Sequence, residues 1–262
     1  MGILIVVAAL VAIAGWWLGT ALVLALDRMP RGSYRWSLSG AALLLGLALV
    51  ASGWAAGHDS LTGHYTGFVA ALTIWGCLEL AFLTGLVTGP RRHACPPGCN
   101  GWKHFGHGVA AILHHELLLA ATCGILVWLH WAEPNKTGLE AFLVLWVMRH
   151  SAKLNLFLGV PNHSADFLPE HLRYLTTFFR NRPVNLLFPV SVTAGTLAAV
   201  AYLASALSGD LAPGPTAGDA LIGMLLLLAV LEHWMMILPL RAEALWAVRP
   251  LEAPVQPVQA PR

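Results

Sequence analysis

The stretch "LEAFLVLWVMRHSAKLNLFLGV", residues 139–160, decides how the chain is read. It begins as an apolar helix running to Met148, is interrupted by Arg149, His150, Lys153 and Asn155, and turns apolar again at Leu156-Phe157-Leu158. Its length suits a helix crossing a hydrocarbon core of about 30 Å, which places those polar side chains within a membrane. Working outward, runs of similar length recur near 3–26, 37–56, 67–88, 108–131, 186–207 and 218–240, so that 139–160 is the fifth of seven spans.

Composition agrees with this reading. Of the 262 residues, 57% are hydrophobic and 11% charged, against about a quarter charged in soluble domains. The expected fold is all-α, a polytopic integral membrane helical bundle of about seven transmembrane helices forming a single domain over 1–262. The first run, Ile3 to Leu26, lacks a basic leading region and a small-residue cleavage site, so it reads as retained.

Seven spans put Arg28, Arg31, Arg35, Arg91, Arg92, Lys103, Arg173, Arg180, Arg182, Arg241, Arg249 and Arg262 on one side and only Lys136 on the other. The positive-inside rule then predicts an outside N-terminus and a cytoplasmic C-terminus. That topology accounts for the basic loops, and with a net charge of only +2 no nucleic-acid partner is expected. Membrane lipids are the expected surroundings.

Two polar segments need separate readings. "SADFLPEHLRYLTTFFRNRP", residues 164–183, is too polar to span; Leu168, Leu172, Leu175, Phe178 and Phe179 recur at helical spacing opposite Glu170, Arg173 and Arg180. This predicts an amphipathic helix near 166–182, either lying at the cytoplasmic interface with its basic residues toward lipid headgroups or packed on the bundle. The tail "LEAPVQPVQAPR" is Pro-rich and reads as disordered near 250–262.

Ionisable residues inside spans are expensive and normally face the bundle interior with partners. Arg149 and Lys153 share a helical face where like charges repel, so their counter-charges must come from other helices. Glu79, Glu116 and Glu232 are the candidates, at about 12–13 Å from the cytoplasmic ends of their spans at about 1.5 Å per residue. With His114, His115, His150 and His233 beside them, four helices can contribute to one polar layer.

The layer admits three readings. It is a buried ion-pair network that fixes helix register; or a ligand site, with His115 or His233 reaching a porphyrin metal or with a polar headgroup held; or the centre of a metal-dependent membrane enzyme. The last wants Glu-x-x-His on one face. In His115-Glu116 and Glu232-His233 the partners are adjacent and diverge by about 100°.

The loop "GPRRHACPPGCNGWKHFGHG", residues 89–108, sets Cys95, Cys99, His104 and His107 in a C-x₃-C-x₄-H-x₂-H pattern that tetrahedral zinc can use. The alternative is a membrane-proximal loop that happens to be rich in His. A disulfide is not expected on the cytoplasmic side, while Cys77 and Cys123 sit in spans as small hydrophobes. Walker, dinucleotide, G-x-S-x-G and H-E-x-x-H motifs are absent from the sequence.

The stretches "LTIWGCLELAFLTGLVTGP" (72–90), "CPP" (95–97), "HE" (115–116), "FLVLWVMRHSAKLNLFLGVPN" (142–162), "FLPEHLRYL" (167–175), "NLLFPVSVT" (185–193) and "LEHWMMILPL" (231–240) follow one another in an order that resembles the photosynthetic complex assembly protein 2 family, PuhE, of phototrophic purple bacteria. The resemblance implies a multi-pass protein of the bacterial inner, intracytoplasmic photosynthetic membrane. It would act in forming reaction-centre or light-harvesting pigment–protein complexes, or in modulating bacteriochlorophyll supply.

No reaction is implied by the resemblance, so no catalytic residues are transferred. Glu79, His115, Glu116, Arg149, Lys153, Asn155, Glu232 and His233 match the family pattern; Cys99, His104, His107 and His114 do not. The expectation is an assembly factor with bacteriochlorophyll or a precursor as candidate ligand and complex subunits as partners. The alternative is a metal-dependent membrane enzyme of tetrapyrrole or quinone metabolism.

Overall fold

In lipid, every backbone N–H and C=O must be satisfied within the chain, and long apolar runs do this by coiling into helices. The computed structural model describes residues 2–163, 165 and 168–238. Among them are seven helices long and apolar enough to cross a membrane, and no strand. They are α1 (Gly2–Asp27), α2 (Tyr34–Ala56), α3 (Leu61–Leu83), α4 (Gly101–His130), α5 (Thr137–Leu158), α6 (Leu187–Leu207) and α7 (Pro213–Met235). The protein is an all-helical, multi-pass membrane bundle.

The helices α3 and α7 are the most enclosed, and α1 and α2 lie at the periphery with much of their surface open. Close approach depends on small residues, because water gives no hydrophobic drive between helices in lipid. A Cβ on Gly223 of α7 would meet Leu203 of α6 at 2.7 Å, and one on Gly67 of α3 would meet the Gly138 nitrogen of α5 at 3.2 Å. At the same end, buried His64 bridges Thr137 Oγ1 (2.7 Å) and Asp59 Oδ1 (2.8 Å), joining the starts of α3 and α5.

With alternating helices, the connections after α1, α3 and α5 share one face, which carries Arg28, Arg31, Arg91, Arg92, Arg173, Arg180 and Arg182. Lys136 is on the opposite face, where its ammonium donates to the His130 and Trp131 carbonyls at the C-terminal end of α4, the end at which a cation is favoured. Arg241, Arg249, Arg262, the 250–262 tail and the last residues of the expected 218–240 span lie outside the described residues.

Of the boundaries that differ from hydropathy, three bear on the site. First, α3 stops at Leu83 rather than near 88. The chain beyond it lies against α4: the His115 N–H donates to the Thr88 carbonyl (2.9 Å) and the Arg91 N–H to the Ala110 carbonyl (3.3 Å). Thr88 and Gly89 are buried, so this irregular backbone is covered by protein, the condition under which it is tolerated at membrane depth. Second, α4 begins at Gly101, before the apolar run, and its 30 residues span about 45 Å, longer than a hydrocarbon core. Third, α7 begins at Pro213, a residue suited to a first helical turn.

Over 168–182 the segment is packed on the bundle, and its helical part among the described residues is the 3₁₀ helix Glu170–Phe178. Leu172, Leu175 and Phe178, three apart, align at three residues per turn and bury against Phe82, Leu83 and Ala111. Of the expected helix, residues 166 and 167 lie outside the described residues.

Candidate functional site

The polar stretch of α5 is a hub. Successive side chains leave a helix about 100° apart, so residues 149–155 face several neighbours in turn. Arg149 Nη2 lies 3.6 Å from Glu79 Oε2 of α3. Lys153 Nζ lies 2.6 Å from Glu116 Oε1 of α4, and His150 Nε2 lies 2.7 Å from Glu116 Oε2. Arg149 and Lys153, although on one face, thus separate to acids on two different helices.

On the other side of α5, Ser151 Oγ lies 2.8 Å from His233 Nε2 of α7 and 2.7 Å from Ser191 Oγ of α6. The His233 Nδ1–H donates to the Ala229 carbonyl (2.8 Å), which leaves Nε2 as the acceptor of the Ser151 hydroxyl proton. Fully buried Asn155 donates to the Ser151 carbonyl (2.9 Å) and receives the amide N–H of Asn185 at 3.0 Å.

Asn185 Oδ1 in turn accepts the Leu187 and Phe188 N–H groups (2.9 and 3.2 Å) at the start of α6. Asn185→Ala removes this cap and the link to Asn155 together; a loss of about 1–2 kcal/mol is expected, read as an earlier transition in thermal unfolding of the purified protein.

The third acid behaves differently. Glu232 is exposed on the bundle surface, and its Oε1 accepts the indole N–H of Trp16 of α1 at 2.7 Å. Arg149, whose side chain is 46% exposed, extends its charge to Glu232 as well. The groups Glu79, Arg149, Glu232 and Trp16 therefore belong to the part of the layer that opens sideways. The Glu116 set is part-exposed as well, its His150 side chain 41% and its Lys153 side chain 22% exposed.

Distance from helix ends is a poor measure of depth here. Glu79 is one turn from the end of α3, whereas Glu116 is in the middle of α4, whose first turns project beyond the core. The groups meet because α4 overshoots and α3 stops short.

The two histidines considered as pigment ligands are not presented for that purpose. His233 has both ring nitrogens engaged. His115 is completely enclosed, against Phe82 and with Nε2 3.6 Å from Glu79 Oε1. His115 and Glu116 diverge to Glu79 and to the Lys153–His150 pair respectively, so they do not converge on one metal. His114 lies exposed on α4.

The loop cysteines and histidines do converge. Cys95 Sγ lies 3.2 Å from His104 Nδ1 and 3.5 Å from His107 Nδ1, and Cys99 Sγ lies 3.5 Å from His107 Nδ1. This cluster is separate from the α5 hub. Sequence reasoning missed Trp16, Ser151, Ser191 and Asn185; an Asn just ahead of an apolar run was the one available signal, as a helix-capping residue.

Comparison with known proteins gives a consistent picture. A family described as "Protein of unknown function (DUF3623)" matches residues 3–253. The chain is 37% identical over 259 residues to the "Uncharacterized 30.4 kDa protein in puhA 5′region" of Rhodobacter capsulatus, a match covering 97% of this chain and 94% of that protein. No solved structure matches. On the strength of a near full-length match to its model, the chain belongs to the DUF3623 family.

Proposed function

We propose that this protein is an assembly factor for photosynthetic pigment–protein complexes, acting in the bacterial inner, intracytoplasmic photosynthetic membrane. The observation that carries the reading is the near full-length relative in the puhA 5′ region, part of a photosynthesis gene cluster. The basic face bearing the arginine-rich connections is then cytoplasmic.

The sideways-opening part of the α5 hub is where a partner is received. A guanidinium carries five donors; Arg149 meets one carboxylate at 3.6 Å and stays half-exposed beside Glu232. That arrangement suits a group bearing an acid on an otherwise apolar body, such as a carboxylate-bearing pigment precursor or an acidic residue on a helix of a nascent reaction-centre or light-harvesting subunit. The Glu116–Lys153–His150 set holds α4 and α5 together beside it.

Deleting the gene from a phototrophic host should lower assembled reaction-centre or light-harvesting complex, measured by near-infrared absorption of membranes. Arg149→Met, present in the membrane at wild-type amount, should fail to restore it. Normal complex and pigment levels in the deletion strain would overturn the assembly role, and full rescue by Arg149→Met would remove the hub from it.

A further inference from the structure

We infer that Cys95, Cys99, His104 and His107 form a tetrahedral zinc site that staples the loop after α3 to the start of α4. With Zn–S near 2.3 Å and Zn–N near 2.0–2.1 Å, tetrahedral geometry sets an S···N edge of about 3.5 Å. Three of the four S···N separations in the cluster, all but Cys99–His104, are 3.2, 3.5 and 3.5 Å. The ligand atoms of Cys95, Cys99 and His107 all lie within 4.8 Å of one another. His104 Nδ1 lies 3.2 Å from Cys95 Sγ but outside that group, and has to move in to take the fourth corner.

The local chain explains the convergence. Pro96–Cys99 is a turn closed by the Cys99 N–H donating to the Pro96 carbonyl (3.2 Å), with Gly98 at φ +75°, a conformation that glycine adopts without strain. This returns Cys99 toward Cys95. His104 and His107 are three apart in the first turns of α4 and so share a face, and both turn Nδ1 toward Cys95.

Two thiolates and two imidazoles are a donor set that selects zinc over harder cations. Four protein ligands leave no open position for catalysis, so the site is structural.

The surroundings fix what the staple holds. The Cys95 N–H donates to Thr177 Oγ1 (3.0 Å) in the 3₁₀ helix. The His104 ring packs on Phe157 of α5 and Phe178 of the 3₁₀ helix, with centroids 5.2 and 5.6 Å away. The metal therefore ties together the 84–100 loop, α4, the end of α5 and the 3₁₀ helix. This inference is independent of the assembly role.

The test uses the full-length protein purified in detergent through a tag without histidines. Elemental analysis should find about one zinc per chain, falling to background in Cys99→Ser and His107→Ala. Replacing zinc by cobalt should produce tetrahedral ligand-field bands and a thiolate-to-cobalt charge-transfer band, and Cys99→Ser should lose both. The cobalt spectrum is taken on the wild-type chain, so it stands even if a variant fails to accumulate. Protein that is metal-free and gives no cobalt spectrum under reducing conditions overturns the inference, as does a Cys95–Cys99 disulfide by mass spectrometry or unchanged zinc in both variants.

Discussion

Glu116→Ala is expected to destabilise the protein by about 3–5 kcal/mol, the usual cost of leaving the other half of a buried pair uncompensated. The carboxylate serves two partners, Lys153 at 2.6 Å and His150 at 2.7 Å, and its own side chain is 17% exposed. Lys153→Ala should cost a similar amount by stranding the acid. Removing both should cost much less than the sum, since the penalty lies in the orphaned charge rather than in the absent attraction. Thermal unfolding of the four proteins, followed by tryptophan fluorescence or circular dichroism in one detergent, closes the cycle. Additive losses, or a Glu116→Ala protein as stable as wild type, would mean that the pair is open to water.

Gly89→Ala is the second large effect. A Cβ there would lie 2.1 Å from the Ala110 carbonyl oxygen and 2.6 Å from the Ala111 carbonyl carbon. Both obstacles are backbone atoms of α4 and cannot rotate away as a side-chain tip does. The loop must back off and give up the His115–Thr88 and Arg91–Ala110 hydrogen bonds, stranding the N–H of fully enclosed His115. The expected loss is at or above the top of the ~1–3 kcal/mol range for overpacking. Gly106, whose added Cβ meets nothing within 4 Å, is the matched control. Equal yield and melting temperature for Gly89→Ala and Gly106→Ala would show that the loop does not lie on α4.

Hydropathy found the seven helices because it measures what lipid demands of side chains. It misplaced the ends of α3 and α4 because it does not measure backbone geometry. "GLVTG" after Thr84 is apolar enough to extend a span, yet Gly85 has φ +79° and Gly89 touches α4, and both facts belong to the tertiary structure. Conversely "GWKHFGHG" is helical without being apolar.

The acids and cations of the hub stood out because a charge in an apolar run needs an explanation. Trp16, Ser151 and Ser191 did not, since a tryptophan or a serine in a membrane helix is ordinary; only its partner gives it meaning. The Cys/His spacing was visible, but the turn that closes it depends on Pro96–Cys99 and on the 3₁₀ helix behind it. That helix was legible as amphipathic, and only its three-residue register escaped.

The position of the hub on the fifth helix also dictates an order of events. During synthesis, α3 and α4 enter the membrane carrying Glu79 and Glu116 before Arg149, His150 and Lys153 exist, so the half-made bundle holds two acids without their cations. Such groups are expensive in lipid as ions, and α5 is the helix that brings their cations. Ser151 and Asn155 then offer α6 and α7 their attachment points only once that step is complete. A chain interrupted before α5 ends accordingly lacks the cations that meet Glu79 and Glu116 in the finished bundle.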